Sequence, residues 1–386
     1  MSGEFIDGQD VPLGEAAERY AVELYAPGGA LAMARETTAP SIQLDGLVVG
    51  RSYSEHMARV VGHSSGVIMT RAMDVGAVRR FDPATGAFTG SEAFPWLASS
   101  TPTGTGVEVI GSNLFASTIA GSSESRLYRY PLGGSQLAHD GYYVAPLAAD
   151  LMSICSDGAF IWATCNYSGL VVKIDPATLT VAASFALSAT SICHDGTHLF
   201  LGGSNGTVRK VDPATGAVLQ TITVVSGATS IVGSVLVAAG TLYALVWTPG
   251  TSPEDGAYAC SVATGDRIAA LGRLAASSGG ADTAYTPAFV AVGDAVAYVE
   301  VASPDKSIVF VDAATAAVRT RIAAPDVVAL AGYANGLLFA AYSFRSPYNG
   351  YATRAYQPIP DLTGYTAKVY QLSDAVGRGY PGTRTL

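Results

Sequence analysis

The chain contains 386 residues, 49% of them hydrophobic and only 14% charged, and it carries a net charge of −9. The composition excludes an intrinsically disordered chain, and the negative charge, with no basic run longer than Arg79–Arg80, argues against nucleic acid as a partner. The opening MSGEFIDGQD lacks the basic and apolar regions of a secretory signal, so we expect synthesis in the cytoplasm without a signal peptide.

The first predicted element is a β-hairpin near the N-terminus. Apolar side chains alternate in ERYAVELY (18–25), APGG (26–29) is a turn, and ALAMARET (30–37) alternates again. A lone alternating strand, YTAKVY (365–370), lies near the other end of the chain. It has no evident partner close to it in sequence.

Between these ends the sequence repeats. Copies of one phrase, best seen as DPATG, begin at Phe81, Lys173, Lys210, Cys260 and Phe310. Each copy predicts a hairpin, because Asp and Pro open a turn and Gly accepts the positive φ that closes it. A second turn signal lies upstream, as in Asp195–Gly196, so each unit holds about four short strands.

Seven turn markers follow one another at spacings of 49, 44, 37, 50, 50 and 46 residues: Asp82, Pro131, Asp175, Asp212, Val262, Asp312 and Pro358. Four-stranded units of this length predict β-propeller blades. We therefore predict an all-β fold with a seven-bladed β-propeller. Two markers are faint, which leaves six or eight blades open, and a solenoid of shorter repeats is the competing architecture. The DPATG phrases resemble those of bacterial propellers of the quinoprotein-like and lactonase-like kinds.

One stretch is long and uncharged enough that a membrane-spanning helix must be considered. Residues 213–253, 41 positions, carry no charge, but Ser, Thr, Gly and Pro interrupt them every few residues. A spanning helix needs about 20 mostly apolar residues in a row. Buried strands explain the stretch better, and we expect no membrane insertion.

The four cysteines, Cys155, Cys165, Cys193 and Cys260, form no C-x-x-C pair. Cys155 and Cys193 stand in matching phrases, SICSDGAFIW and SICHDGTHLF, which indicates equivalent positions in neighbouring repeats. We predict free, buried thiols rather than disulfides or a metal site.

The two ends of the chain are each too short to bury a core alone. A closed propeller returns the chain to its starting point, so the ends can fold together. We predict that residues 1–44 and 363–386 form one small β-sandwich and that residues 45–362 form a propeller inserted into it.

These end segments resemble the fibronectin type III-like repeat of tail-tip and baseplate proteins from long-tailed bacteriophages and gene transfer agents. The resemblance lies in VPLGEAAERYAVELYAPGGALAMARETTAPS and VYQLSDAVGRGYP. It implies a structural protein of the virion tail tip, anchored by its sandwich to other tail-tip or baseplate proteins. It also implies several copies on a three-fold axis and a propeller that contacts a host-surface receptor, either a glycan or a protein.

Two segments are the best candidates for receptor binding, because Tyr, Trp and Arg are enriched at binding hot spots. They contribute Tyr342, Phe344, Arg345, Tyr348, Asn349, Tyr351 and Arg354 from 340–356, and Trp247, Asp255 and Tyr258 from 246–258. The competing interpretation is that half of the aromatic residues of the first segment alternate inward as ordinary core.

Enzymatic interpretations are weaker, and we predict no catalytic residue, metal or cofactor. GHSSG (62–66) matches a nucleophile motif around Ser64, but a strand rather than a helix follows it. His194 and His198 flank a turn without a third metal ligand. A glycan hydrolase that uses two carboxylates, a non-viral scaffold propeller and a propeller that is only a spacer remain the alternatives.

Overall fold

The structure is a computed structural model. It describes residues 19–25, 31–37, 47–53, 57–71, 77–82, 87–94, 103–120, 124–134, 137–146, 151–227, 229–247, 256–272, 288–302, 305–324, 327–344, 350–357, 366–373, 377–378 and 382–385. The described residues contain 33 strands and no helix, and therefore no helix that could cross a membrane.

In chain order the strands are β1 (Arg19–Tyr25), β2 (Leu31–Thr37), β3 (Leu47–Tyr53), β4 (Met57–His63), β5 (Gly66–Arg71), β6 (Ala77–Phe81), β7 (Phe88–Ala93), β8 (Thr103–Ile110), β9 (Asn113–Ala120), β10 (Glu124–Pro131), β11 (Gly141–Val144), β12 (Leu151–Ser156), β13 (Ile161–Cys165), β14 (Leu170–Ile174), β15 (Val181–Phe185), β16 (Ser191–His194), β17 (Leu199–Gly202), β18 (Thr207–Val211), β19 (Val218–Thr223), β20 (Ile231–Ala238), β21 (Thr241–Trp247), β22 (Gly256–Ser261), β23 (Arg267–Gly272), β24 (Phe289–Val292), β25 (Ala295–Ala302), β26 (Asp305–Asp312), β27 (Val318–Ala323), β28 (Val327–Ala334), β29 (Leu337–Phe344), β30 (Gly350–Gln357), β31 (Thr366–Ser373), β32 (Gly377–Arg378) and β33 (Gly382–Thr385).

The chain folds as an all-β propeller. The described strands contain seven four-stranded sheets: β4–β7, β8–β11, β12–β15, β16–β19, β20–β23, β24–β27 and β28-β29-β30-β3. The first strand of each sheet contacts the first strand of the next, and β28 contacts β4, so this series of contacts closes on itself. The last sheet is completed from the other end of the chain, because its fourth strand is β3.

The chain divides into two compact units, Met1–Arg51 with Ala355–Leu386 and Ser52–Arg354. In the first unit β31 pairs antiparallel with β1, from Arg19 opposite Leu372 to Tyr25 opposite Thr366. The strand predicted near the C-terminus therefore pairs with the predicted N-terminal hairpin. Five strands of this unit, β1, β2, β31, β32 and β33, form one sheet in the order β2-β1-β31-β32, with β33 also on β31. The sandwich and the predicted boundaries after residues 44 and 362 stay predictions.

The apolar core of the second unit lies in the seams between neighbouring sheets, where each described cluster joins side chains from two sheets. The uncharged stretch 213–253 contains β19, β20 and β21; β21 is buried along most of its length, β20 is mostly half-buried, and β19 is mostly exposed. All four cysteines are free and buried, which confirms the prediction. Cys155 stands opposite Trp162 and Cys193 opposite Phe200, so the two thiols occupy equivalent positions in successive sheets.

Hydroxyl side chains tie the first strands to their neighbours. The first strand β20 is interrupted by a bulge between Val232 and Ser234. The Val232 carbonyl accepts hydrogen bonds from Thr190 Oγ1 at 2.7 Å and Ser191 Oγ at 2.9 Å, both from the preceding sheet. A bulge removes ladder partners, and the half-buried Thr190 hydroxyl and the buried Ser191 hydroxyl replace them here.

Candidate receptor-binding surface

The propeller presents two faces that differ in their connections. In a four-stranded meander, the turns between strands one and two and between strands three and four lie at the same end of the sheet. We call this end the turn face; 157–160 and 175–180 belong to it. The connection between strands two and three lies at the opposite end, which we call the loop face. In the two segments predicted to bind a receptor, this connection is 248–255 or 345–349, which lies outside the described residues. The strand ends beside it, Trp247 among them, lie at the loop face.

The structure places the candidate residues of 246–258 differently from one another. Trp247 ends β21 with 37% of its surface exposed, and its indole covers Gly233, where a Cβ would lie 3.1 Å from Nε1. Tyr258 is only 8% exposed and belongs to the core between two sheets, with the Arg267 guanidinium 5.4 Å from its ring centre. Trp247 is thus available to a ligand, whereas Tyr258 has a packing role. Asp255 lies outside the described residues.

The segment 340–356 is mostly strand rather than loop. Tyr342 and Phe344 belong to β29, and Tyr351 and Arg354 belong to β30. The connection between these strands is 345–349, and it contains the remaining candidates, Arg345, Tyr348 and Asn349, which lie outside the described residues.

The repeated DPATG phrases form turns on the turn face. Asp312 Oδ1 accepts the backbone N–H groups of Ala314 and Thr315, and the Ala316 N–H donates to the Asp312 carbonyl. Asp175 and Asp212 repeat this arrangement. The phrase therefore encodes turn geometry, and its recurrence carries no evidence of a ligand.

The turn at Asp312 is further fixed by charge. Arg319 binds Asp294 through two hydrogen bonds of 2.7 and 2.9 Å and Asp312 at 2.6 Å. This guanidinium, followed by the Thr315 N–H, holds the pKa of Asp312 well below its usual range. The network links the two turns of one sheet, and all three side chains are used within it.

Neither enzymatic motif forms a catalytic site among the described side chains. Ser64 and Ser65 form the turn between β4 and β5, a strand–turn–strand context without the helix that a nucleophile elbow requires. His194 Nδ1 accepts the Gly196 N–H at 3.1 Å, and Asp195 Oδ1 accepts the His198 N–H at 2.7 Å. The latter motif is thus a hydrogen-bonded hairpin turn, and the described residues contain no cluster of metal ligands.

A polar cluster lies in the seam between the sheets β4–β7 and β8–β11. We call it the first seam and define it by Arg80, Glu92, Tyr128, Tyr130 and His139. His139 Nδ1 lies 2.6 Å from Glu92 Oε1, and the His139 N–H donates to Glu92 Oε2 at 2.7 Å, so these residues join the two sheets. The His139 ring packs edge-on against both tyrosines, with centroid distances of 5.1 and 6.0 Å.

Three polar atoms of the first seam are buried without a hydrogen-bond partner, namely Arg80 Nε, Tyr128 Oη and Tyr130 Oη. The Arg126 guanidinium lies beside the Tyr128 hydroxyl; burial raises the pKa of this hydroxyl, and the guanidinium acts to lower it. Burial, with the negative charge of Glu92 nearby, holds the pKa of Tyr130 far above its usual range. Such atoms are uncommon in folded proteins, so this concentration requires an explanation.

The sequence analysis missed this cluster, although a signal was present. Glu124, Arg126, Tyr128 and Tyr130 alternate along β10, and Tyr142 stands opposite Tyr128 on β11. β10 is the third strand of its sheet. A row of alternating charged and aromatic residues is unusual on a strand face that packs against a neighbouring sheet, because such a face normally carries aliphatic side chains.

Comparisons with known proteins identify the fold of the chain. No protein-family model and no curated protein matches the chain. Among solved structures, the chain is similar to one from a crystal structure of the mitotic checkpoint complex, with a TM-score of 0.54 at 12% identity over 82% of this chain and 94% of the other. It is also similar to the β-propeller domain of Cps50 (Swd1) from Myceliophteria thermophila, with a TM-score of 0.52 at 11% identity over 81% and 99% of the two chains. At such identities the likeness shows a β-propeller fold and nothing of the activity.

Proposed function

We propose that this chain is a non-enzymatic structural protein of a phage tail tip or fibre. Its terminal unit, completed as a small fibronectin type III-like sandwich, anchors it to other tail-tip proteins. Its seven four-stranded sheets are the blades of a seven-bladed propeller, which binds a glycan or protein on the host surface. Several copies, arranged on a three-fold axis, are carried by each virion.

The observation that carries this proposal is the pairing of the two chain ends. The segments that resemble tail-tip repeats lie more than 300 residues apart, yet β31 pairs with β1 along its length. A repeat interrupted by a propeller accounts for that pairing. The closed series of contacts among the first strands supports seven blades, since seven sheets take part in it.

The receptor role rests on surface chemistry. The loop face carries the exposed Trp247, and rigid scaffolds of this kind commonly display binding residues on their connections. The turn face, in contrast, uses its aspartates within its own turns. We therefore assign receptor binding to the loop face and to the outer rim of the sheets.

The proposal is tested by adding labelled full-length protein to host cells before the parent particle. We expect the protein to bind the cells and to slow adsorption of the particle in proportion to its concentration. Antibody labelling in electron micrographs should place the protein at the tail tip. If the protein neither binds cells nor slows adsorption, the receptor role is wrong. Release of short oligosaccharides from envelope polysaccharide would replace it with a hydrolase.

A further inference from the structure

We propose that the loop face binds a hexose unit of a surface glycan at the seam between the sheets β16–β19 and β20–β23. We call this place the Trp247 patch and define it by Trp247, Ser204, Asn205, Ser226 and Thr229. The inference rests on the proposed receptor function and names the ligand class and a site for it. It does not involve the first seam, whose partnerless atoms are closed to solvent.

The first argument is that backbone pairing brings residues of two sheets into one row. Trp247 ends β21 directly opposite Ile231 on β20. Ile231 in turn forms a β-bridge with Ser204, in the connection between β17 and β18. Residues directly opposite each other point to the same side, with Cα atoms about 4.5–5.5 Å apart, so Ser204 and Trp247 flank a strip about 9–11 Å wide. A strip of this width accommodates a hexose.

The second argument is an aromatic ring that is exposed and yet held in place. Trp247 is 37% exposed at the loop face, whereas the comparably exposed Val218, Leu219 and Ile268 of the same two sheets lie at the turn-face ends of β19 and β23. One edge of the Trp247 indole lies against Gly233 in the bulge of β20, where a Cβ would be 3.1 Å from Nε1 and 3.2 Å from Cδ1. A flat, fixed indole offers the area on which the apolar face of a sugar ring stacks.

The third argument is a set of exposed, uncharged hydrogen-bonding groups around the indole. Ser204 and Asn205 are exposed in the connection between β17 and β18, and Ser226 and Thr229 are exposed in the connection between β19 and β20. A hydroxyl group both donates and accepts, and an asparagine amide has donors and an acceptor, so these side chains match the hydroxyl groups of a sugar. Serine and asparagine around an aromatic anchor are typical of adaptable binding surfaces.

The fourth argument is that the backbone fixes these groups before a ligand arrives. The Gly206 N–H donates to the Ser230 carbonyl at 2.9 Å, and the Val232 N–H donates to the Gly203 carbonyl at 3.0 Å, so the connection is bonded to the next sheet. Asn205 and Gly206 both have a φ of 64°, as in tight hairpin turns. Groups that are already in place lose less conformational entropy on binding.

The charges around the patch favour recognition of hydroxyl groups over recognition of an acidic group. The connections 186–190, 203–206 and 224–230 contain no charged residue. The half-buried Arg209 reaches the first of them, but its guanidinium donates a hydrogen bond to the Ser188 carbonyl. An acidic sugar would have to give up hydration of its carboxylate for a guanidinium that already has a partner. Binding should therefore depend little on salt, because it uses no ion pair.

The test uses the full-length protein with methyl glycosides of neutral hexoses and of uronic acids. Saturation-transfer NMR identifies each glycoside that binds, and titrations in low and high salt give its affinity. We expect at least one neutral hexoside to bind, with an affinity that salt changes by less than about twofold. Trp247→Ala should weaken binding about tenfold, and Trp247→Phe, which keeps a ring, only about threefold. Ser204→Ala and Asn205→Gly should each weaken it by about threefold to tenfold.

Tryptophan fluorescence provides a second measurement of the stacking contact. The chain contains three tryptophans, and in this proposal the sugar contacts only Trp247. The fluorescence change caused by the sugar should therefore vanish in Trp247→Phe, while NMR still detects binding.

The matched control is Tyr333→Ala, which removes a 39% exposed aromatic residue on the turn face, beside the turn between β28 and β29. It should leave sugar binding unchanged. Thermal unfolding of each variant separates loss of the site from loss of the fold. Asn205→Gly keeps the test valid if Trp247→Ala does not fold, because glycine adopts the left-handed φ of Asn205 without strain.

Three results would overturn the inference: failure of every neutral hexoside to bind, uronides that bind at least about tenfold tighter in low salt only, or binding unaffected by both Trp247→Ala and Asn205→Gly. If the wild type binds host cells but no hexoside, the inference fails and the receptor role stands with another site. If a hexoside binds at the patch but the protein does not bind cells, the receptor role fails and the sugar site stands.

Discussion

Four turns of the propeller allow a test of how much backbone conformation and side-chain packing each contribute to stability. The same position of the turn holds Leu179, Gly216, Gly265 and Ala316, each donating its N–H to the carbonyl four residues earlier. All four have a positive φ, between 57° and 82°. Two of these positions therefore already tolerate a side chain in the left-handed region, which costs an L-residue about 1–2 kcal/mol.

The prediction compares Gly216→Ala with Gly265→Ala. A Cβ at Gly265 would meet only Gln220 Nε2 at 3.2 Å and Ile222 at 3.8 Å, and the Gln220 side chain can move. A Cβ at Gly216 would lie 2.4, 2.6 and 2.9 Å from three atoms of the Phe185 ring. Phe185 stacks on the buried Trp162 with a centroid distance of 5.9 Å, so it cannot withdraw freely.

The magnitudes follow from these contacts. Gly265→Ala should cost about 1 kcal/mol, from the backbone alone. Gly216→Ala should cost roughly 2–4 kcal/mol, because overpacking adds about 1–3 kcal/mol to the same backbone term. The reverse change, Ala316→Gly, relieves the backbone but removes a buried methyl group, so the two effects should cancel to within about 1 kcal/mol.

The assay is urea unfolding of the full chain, followed by tryptophan fluorescence and circular dichroism. Variants are compared by the transition midpoint where the slope is unchanged and the two signals coincide. The expected order of stability is wild type, Gly265→Ala, then Gly216→Ala. Equal midpoints for the two variants would refute the packing argument, and a wild-type midpoint for Gly265→Ala would refute the backbone argument.

The remaining predictions concern buried groups. Burial acts to raise the pKa of Asp157, but hydrogen bonds from the Trp162 indole, 2.8 Å long, and from two backbone N–H groups lower it overall. A lowered folded-state pKa stabilises above the unfolded value of about 3.9, and the stability is lost as pH falls through the folded value. The urea midpoint should thus fall below about pH 4, and Asp157→Asn, with no ionisable carboxyl there, should show a smaller fall; an identical pH profile would contradict this. Burial raises the pKa of Cys193 to about 12 and that of Cys260 to about 11, so a thiol reagent at neutral pH should label them only after unfolding. Rapid labelling of the folded protein would show that these sites open.

The sequence predicted the turns well because their chemistry is local. Asp312 and the two N–H groups that it accepts lie within four residues, so the phrase itself contains both partners. The rule that glycine occupies the positive-φ position of this turn does not hold at Leu179 and Ala316, which adopt that φ although they carry side chains. Leu179 is retained because it packs on the adjacent core cluster, and Ala316 because it is buried in another. Tertiary packing there outweighs backbone preference.

The bulge in β20 and the first seam could not be predicted, because the residues that determine them lie far apart along the chain. The carbonyl freed by the bulge at Val232 is satisfied by Ser191, 41 residues earlier. Glu92 and His139 are 47 residues apart and meet only once two sheets pack together. The periodicity of one segment cannot indicate a contact between two residues that lie in different segments. The candidate segments of the sequence analysis were selected by composition alone, which explains why they include the buried Tyr258 together with the exposed Trp247.

The pairing of the chain ends follows from chain entropy. Closing a flexible loop costs roughly (3/2)RT ln n, which is about 5 kcal/mol for the 340 or so residues between β1 and β31. The sheet β28-β29-β30-β3 changes this cost, because it places strands from both ends of the chain in one sheet. Nine residues separate β2 from β3 and eight separate β30 from β31, so the effective loop shrinks to about 20 residues and about 3 kcal/mol. A two-stranded hairpin alone is marginal in water, and a saving of about 2 kcal/mol is of the size that decides whether a third strand adds to it. Pairing of β3 with β30 therefore shortens the loop that pairing of β31 with β1 must close, which a sequence reading confined to neighbouring strands cannot detect.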